Sequence, residues 1–120
     1  VATVPLTLPS TGYAEPARRA AFYRAVLERI QGLPGVDAAA AVSSAPFGGP
    51  NSANVFGLAE QPPTSRDQAP DADTRTVTPD FFRAMGIRLL AGRAFSDADR
   101  LDAPPVVVVS RTAAERWPPM

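Results

Sequence analysis

Residues 78–95, TPDFFRAMGIRLLAGRAF, form the densest apolar segment of the chain and constrain its fold more than any other stretch. Thr78 can cap a helix with its hydroxyl oxygen. Pro79 fits the first helical position, where the N–H group that proline lacks would have no intrahelical partner. Gly86 predicts a left-handed helix end about two turns later. The segment therefore predicts a short helix with one apolar side.

Aromatic residues supply that apolar side and continue beyond the helix. Phe81 and Phe82 lie within the predicted helix, and the run after it, residues 87–90, is predicted to be extended. Gly92 then turns the chain, so that Phe95 re-enters the core. We expect these aromatic side chains to lie at the centre of the folded domain.

Two further helices are predicted from spacing and capping. From residue 17 to residue 31, apolar positions recur every three or four residues, which indicates an amphipathic helix of about four turns. Pro16 is placed to open it and Gly32 to end it. Ser110 is placed to cap a last helix over residues 111–117.

Strands are expected from β-branched and alternating segments. The run of four valines at 106–109 does not alternate, which is typical of a strand buried on both faces. Two strands flanking the long helix would make a right-handed crossover if they run parallel. The sequence thus predicts an α+β fold, a mixed sheet with helices packed on it, and the expected strands are residues 1–8, 36–44, 53–58, 73–77 and 106–109.

Residues 60–72 are rich in proline and polar side chains, and are predicted to form an exposed loop. Pro62 and Pro63 would stiffen this loop rather than act as a polyproline ligand. Phe47 and Trp117 are expected in the core or at a joint between lobes. If they are exposed, they join the two prolines as candidate partner contacts.

The sequence offers little material for catalysis or metal binding. Cysteine and histidine are absent, which excludes disulfides and thiolate sites. Asp97, Asp99 and Asp102 lack the glycine and the distal glutamate of a calcium loop, so a capped turn with solvated carboxylates is expected. Gly48 and Gly49 precede no lysine and are read as turn glycines. No catalytic, cofactor or metal site is predicted, and we expect no enzyme.

Charge gives no sign of nucleic-acid binding. Twelve acidic residues balance twelve basic ones, all of them arginine, and Arg18-Arg19 is the only adjacent basic pair. The guanidinium of Arg93 suits a structural role, in which it ties loop carbonyls or a carboxylate such as Asp97 or Asp99. No apolar run approaches the ~20 residues of a membrane helix. We expect an excised fragment without its targeting and membrane segments.

The order of motifs resembles one family. The pattern T-P-D-F-F-x-x-M-G-I-x-L-L-x-G-R-x-F at 78–95 resembles the extracytoplasmic domain of MacB/FtsX-like ABC-transporter permeases. Three more segments agree in order and spacing, at 19–49, 96–110 and 114–118. The resemblance covers nearly the whole chain.

This resemblance implies a single two-lobed domain over residues 1–120. Residues 1–45 and 104–120 would form a βαβ porter-like lobe, and residues 46–103 a smaller α+β lobe inserted in it. The shared motif would be structural, and its residues here are Thr78, Pro79, Phe81, Phe82, Gly86, Gly92 and Arg93.

The resemblance also implies a function without catalysis. The domain would lie on the extracytoplasmic face of the plasma membrane and transmit an ATP-driven conformational change to a substrate, an envelope protein or an adaptor. A separate cytoplasmic ATPase subunit would bind ATP, and absent segments would contact the membrane. The alternative is a stand-alone domain that binds a peptide, a lipid or an envelope protein through residues 46–54 and 60–72.

Overall fold

A computed structural model describes residues 1–46, 52–57 and 69–116, together with positions 59, 62, 65 and 67. Helices and a two-stranded antiparallel sheet together confirm the α+β class. In chain order the elements are α1 Ser10–Tyr13, α2 Pro16–Gln31, β1 Ser52–Val55, β2 Asp71–Thr74, α3 Phe81–Met85 and α4 Arg111–Arg116.

Helix α2 has the bounds that the apolar spacing predicts. Pro16 occupies its first turn, and the Glu15 carbonyl accepts hydrogen bonds from the Arg18 N–H at 3.1 Å and the Arg19 N–H at 3.3 Å. The helix ends before Gly32, whose N–H donates to the Glu28 carbonyl at 3.3 Å. Near its start, Phe22 meets Tyr13 of α1 edge to face, with ring centroids 5.5 Å apart.

Helix α3 ends as predicted. Gly86 adopts a left-handed conformation with φ 67°, which glycine reaches without steric cost. Its N–H donates to the Arg83 carbonyl at 3.3 Å, and the Ile87 N–H donates to the Phe82 carbonyl at 2.8 Å. These are the two hydrogen bonds of a left-handed helix end, so the last carbonyls of α3 have partners.

The start of α3 differs from the prediction. The residue before its first turn is Asp80, and no side chain caps the helix. Pro79 therefore lies in a turn ahead of the helix, in which the Phe81 N–H donates to the Thr78 carbonyl at 3.0 Å. The prediction that Thr78 caps the helix and Pro79 opens it is wrong, because the Thr78 hydroxyl is engaged elsewhere.

Strands β1 and β2 pair over their whole length, from Ser52 opposite Thr74 to Val55 opposite Asp71. One more backbone bond, from the Phe56 N–H to the Pro70 carbonyl, extends the pairing by a residue. Both strands are close to the predicted ones but are displaced toward the amino terminus by a few residues.

Three of the predicted strands are wrong. Residues 1–8 and 106–109 form no ladder, and residues 36–44 contribute an isolated bridge between Val42 and Val77. Val107 is 78% exposed, so the valine run is not buried on both faces. Because a strand needs backbone partners from another segment, β-branched residues alone do not make one. No strand–helix–strand crossover forms among the residues described.

Phe81 is the centre of packing in the described part of the chain. Phe81 is 8% exposed, and among the described residues it is the hydrophobic residue that is buried. Phe82 contacts it edge to face at 5.7 Å and also lies 5.9 Å from Phe95. Phe95 is half-buried, so the chain returns to this aromatic cluster as predicted but does not bury the ring fully.

Ser110 caps α4 as predicted, since its Oγ accepts the Ala113 N–H at 3.2 Å. Across the described ranges, no helix combines the length and the apolar character needed to cross a membrane.

Candidate functional site: the seam before helix α3

Residues 37–44 and 75–83 run side by side and are joined by hydrogen bonds between them. We call this junction the seam. At its centre Val42 lies opposite Val77 in an antiparallel bridge, flanked on both sides by backbone bonds. The seam connects the segment that follows α2 with the segment that leads into α3.

Thr78 makes the seam compatible with the start of a helix. Its N–H donates to the Ala41 carbonyl at 3.0 Å. In a regular ladder the Ala41 N–H would donate to the Thr78 carbonyl in return, but that carbonyl accepts the Phe81 N–H. The Thr78 hydroxyl oxygen replaces it, at 2.8 Å from the Ala41 nitrogen. The chain can thus leave the ladder without leaving a part-buried N–H unpaired.

Ser43 makes a similar substitution at the other end of the bridge. Its N–H donates to the Thr76 carbonyl at 2.9 Å, as in a ladder. The Thr76 N–H donates to the Ser43 Oγ at 3.0 Å rather than to a backbone carbonyl. Two hydroxyl groups therefore complete a strand pairing that backbone groups alone leave unfinished.

Two arginines extend the seam at its ends. The Arg75 Nε donates to the Ser44 carbonyl at 3.2 Å, and the Arg83 Nη2 donates to the Asp37 carbonyl at 3.1 Å. Hydrogen bonds from a charged donor are stronger than neutral ones. Hydrogen bonds therefore join the two segments of the seam at both ends as well as at its centre.

Gln31 brings the last residue of α2 to the seam. Its Nε2 donates to the Ala39 carbonyl at 3.2 Å and to the Asp80 Oδ2 at 3.0 Å. The Gln31 side chain thereby connects the end of α2 to the first segment of the seam and to Asp80, the residue that precedes α3.

A second structured element follows α3 in the loop around Arg93. Both guanidinium Nη atoms lie 2.8 Å from the Asp99 carboxylate oxygens. The Ser96 N–H donates to the same carboxylate at 2.9 Å, and the Ser96 Oγ accepts the Ala98 N–H at 3.3 Å. Arg93 thus binds Asp99, one of the two carboxylates expected as its partner, after a turn in which Gly92 has φ 75°.

The ion pair between Arg93 and Asp99 predicts that the stability of this loop depends on pH. The hydrogen bonds from Arg93, followed by the Ser96 N–H, lower the pKa of Asp99 from 3.8 to about 2. Because the pKa is lower in the folded state, the stabilisation is present above pH ~4 and is lost as the pH falls toward 2. We expect the Asp99 carboxyl carbon to titrate with a midpoint near 2 by NMR.

Two variants check this assignment. Arg93→Ala should raise the pKa of Asp99 toward its ordinary value. Arg100→Ala is the matched control, because Arg100 lies 3.6 Å from Asp102 and should leave the Asp99 titration unchanged. An ordinary midpoint for Asp99 in the parent chain would contradict the ion pair.

The structure places the predicted motif residues at three points along the chain. Four lie in the seam or its overlap with the start of α3: Thr78, Pro79, Phe81 and Phe82. Gly86 ends α3, and Gly92 and Arg93 lie in the loop that follows. Of the candidate partner contacts, Pro62 is exposed. Phe47, Pro63 and Trp117 lie outside the described residues.

Sequence reasoning missed Ser43 of the seam and Gln31, the α2 residue that contacts the seam. Neither residue stands out in the sequence as a candidate for a long-range contact. A polar residue immediately before a helix-ending glycine was the available signal for Gln31, but many solvated helix residues share it. Their partners lie 49 and 33 residues away, so local patterns do not reveal them.

Among the described residues, no group of three or more acidic, histidine or cysteine side chains is placed to hold a metal ion. A surface cleft of about 390 Å³ lies beside α1 and α2, lined by Gly12, Tyr13, Arg18 and Phe22. Arg18 already donates to the Gly12 carbonyl at 2.9 Å, and the cleft is remote in sequence from the seam.

Comparison with known proteins gives one match. The family model described as the MacB-like periplasmic core domain matches residues 3–118. No curated protein and no solved structure is significantly similar to the chain. Because the match covers almost every residue, the chain belongs to the MacB-like periplasmic core domain family, the extracytoplasmic domains of ABC-transporter permeases.

Proposed function

We propose that this domain transmits an ATP-driven conformational change across the membrane to a substrate or an envelope partner, without catalysing a reaction itself. The driving subunit is a cytoplasmic ATPase, and the domain lies on the outer face of the plasma membrane. Family membership supports the setting. The observation that supports the mechanical role is the seam.

A domain that transmits motion needs a joint that holds under load. We propose a two-lobed division, with residues 1–45 and 104–120 in a porter-like lobe and residues 46–103 in an inserted lobe. The two sides of the seam, 37–44 and 75–83, then belong to different lobes. Each hydrogen bond across it contributes about 1 kcal/mol net, so several together resist separation.

The proposal also gives roles to the candidate partner contacts. Phe47, Pro62, Pro63 and Trp117 are proposed to meet an envelope protein or adaptor. The exposure of Pro62 supports this role for the loop that contains it.

Movement of the domain can be measured without knowing the substrate. A permease carrying this domain is reconstituted with its ATPase subunit in nanodiscs that contain acceptor-labelled lipid. A donor fluorophore is attached at Arg24→Cys, an exposed position on α2. We expect the energy transfer to the lipid to change when ATP and vanadate are added, because the domain shifts relative to the membrane.

A disulfide across the seam serves as the matched control. Val42→Cys with Val77→Cys joins residues that lie directly opposite in an antiparallel bridge, a geometry that a disulfide can span. If the joint stays closed during transmission, oxidation should preserve the ATP-dependent change. An energy transfer insensitive to ATP in the parent permease would contradict the proposal. It would favour a stand-alone binding domain, to be tested by calorimetry with lipid vesicles and envelope peptides.

A further inference from the structure

We propose that Gln31 is a releasable latch that holds helix α2 against the seam, and that residues 32–36 are the hinge on which α2 moves when the latch opens. The moving part, α2, lies within the domain. Only the use of its motion in transmission rests on the proposed function.

Gln31 joins the end of α2 to the remainder of the fold. No residue of α2 is buried, and the helix that α2 packs against among the described elements is α1. The Gln31 amide, in contrast, holds two acceptors at once, at 3.2 and 3.0 Å. These bonds cross from the end of α2 to both sides of the seam.

The latch differs from the seam in how easily it opens. Gln31 is exposed, so water can replace its partners one at a time. The Ala41 N–H in the seam is part-buried and has no such substitute at hand. Opening at Gln31 therefore occurs more readily than separation of the seam.

The hinge lies between the latch and the seam. Residues 32–35 are exposed and form turns rather than regular structure. Gly35 has φ 83°, and a side chain there would meet no neighbouring atom within 4 Å. A short, exposed segment with a glycine in this conformation can absorb the backbone rotation that a helix swing requires.

The latch can be tested by distances between spin labels in the 120-residue chain. The chain has no cysteine, so Glu28→Cys and Arg88→Cys provide the only two attachment points, on α2 and just after α3. Both positions are exposed. We expect a narrow distance distribution with the parent sequence. In Gln31→Ala, a second, displaced population should grow about fivefold, as expected from losing one net hydrogen bond.

Matched variants separate the latch from general loosening. Gln31→Glu keeps the side-chain shape but removes the donors, and should broaden the distribution as Gln31→Ala does. Asp80→Asn keeps an oxygen that accepts from Gln31, and should leave it narrow. Arg24→Ala, on the same helix, should also leave it narrow.

The outcomes distinguish a failure of the latch from a failure of the proposed transmission. A narrow distribution in both Gln31 variants overturns the latch but does not affect the proposed transmission. Equal broadening in Arg24→Ala also overturns it, because the motion would then be general to α2. An ATP-insensitive domain in the nanodisc experiment contradicts the transmission function and leaves a latch observed in the isolated chain intact.

Discussion

Phe81→Ala is expected to lower the free energy of unfolding by about 3–5 kcal/mol, a large part of the stability of a domain this size. Phe81 is 8% exposed, and its ring contacts Phe82 at 5.7 Å between centroids. Truncation removes the transfer free energy of the ring and leaves a cavity beside Phe82. Urea denaturation followed by circular dichroism measures the loss.

Ile87→Ala is the matched control for this truncation. Ile87 follows α3 in the same segment but is 46% exposed. Its loss should cost no more than about 1 kcal/mol, since most exposed positions contribute little. If Phe81→Ala costs no more than Ile87→Ala, the main core must lie elsewhere than around α3.

Thr78→Val should cost about 1–3 kcal/mol, although it changes one hydroxyl to a methyl of the same size. The substitution removes the acceptor that lies 2.8 Å from the Ala41 nitrogen. Because that pair is part-buried and the Thr78 carbonyl already accepts the Phe81 N–H, the Ala41 N–H has no second acceptor on this strand. Denaturation midpoints and amide exchange at Ala41 report the effect.

Two comparison variants test whether the stability loss in Thr78→Val comes from the missing hydroxyl. Ser43→Ala removes the other hydroxyl of the seam, but the pair is exposed, so water can accept the Thr76 N–H and the cost should stay below about 1 kcal/mol. Thr7→Val, at an exposed position, should be close to neutral. Equal losses for Thr78→Val and Thr7→Val would show that the hydroxyl does not complete the ladder.

The elements predicted correctly depend on neighbours close in sequence. The Gly86 helix end, the Ser110 cap and the Arg93–Asp99 pair each join residues at most six positions apart. Their physical causes, a left-handed glycine, a hydroxyl cap and a short ionic turn, can be recognised in a few letters of sequence.

The elements predicted wrongly depend on partners far along the chain. The valines at 106–109 favour a strand, but a ladder requires a second segment, and none pairs with them in the described residues. Thr78 is equally suited to cap a helix or to accept from a distant backbone N–H. Its partner Ala41, 37 residues away, decides between the two roles. The residues alone predict an α+β domain, whereas the order of four motifs indicates the family.

The seam also determines how much stability the domain loses when residues are inserted between its two segments. It brings together Ser43 and Thr76, which are 33 positions apart, and so closes the intervening chain into a loop. The entropy of closing a loop grows only with the logarithm of its length, so doubling the loop costs about 0.6 kcal/mol. Insertions there would cost less than the contacts across the seam contribute. The same joint can therefore carry loops of very different size and chemistry, and is a natural position at which to graft a recognition segment.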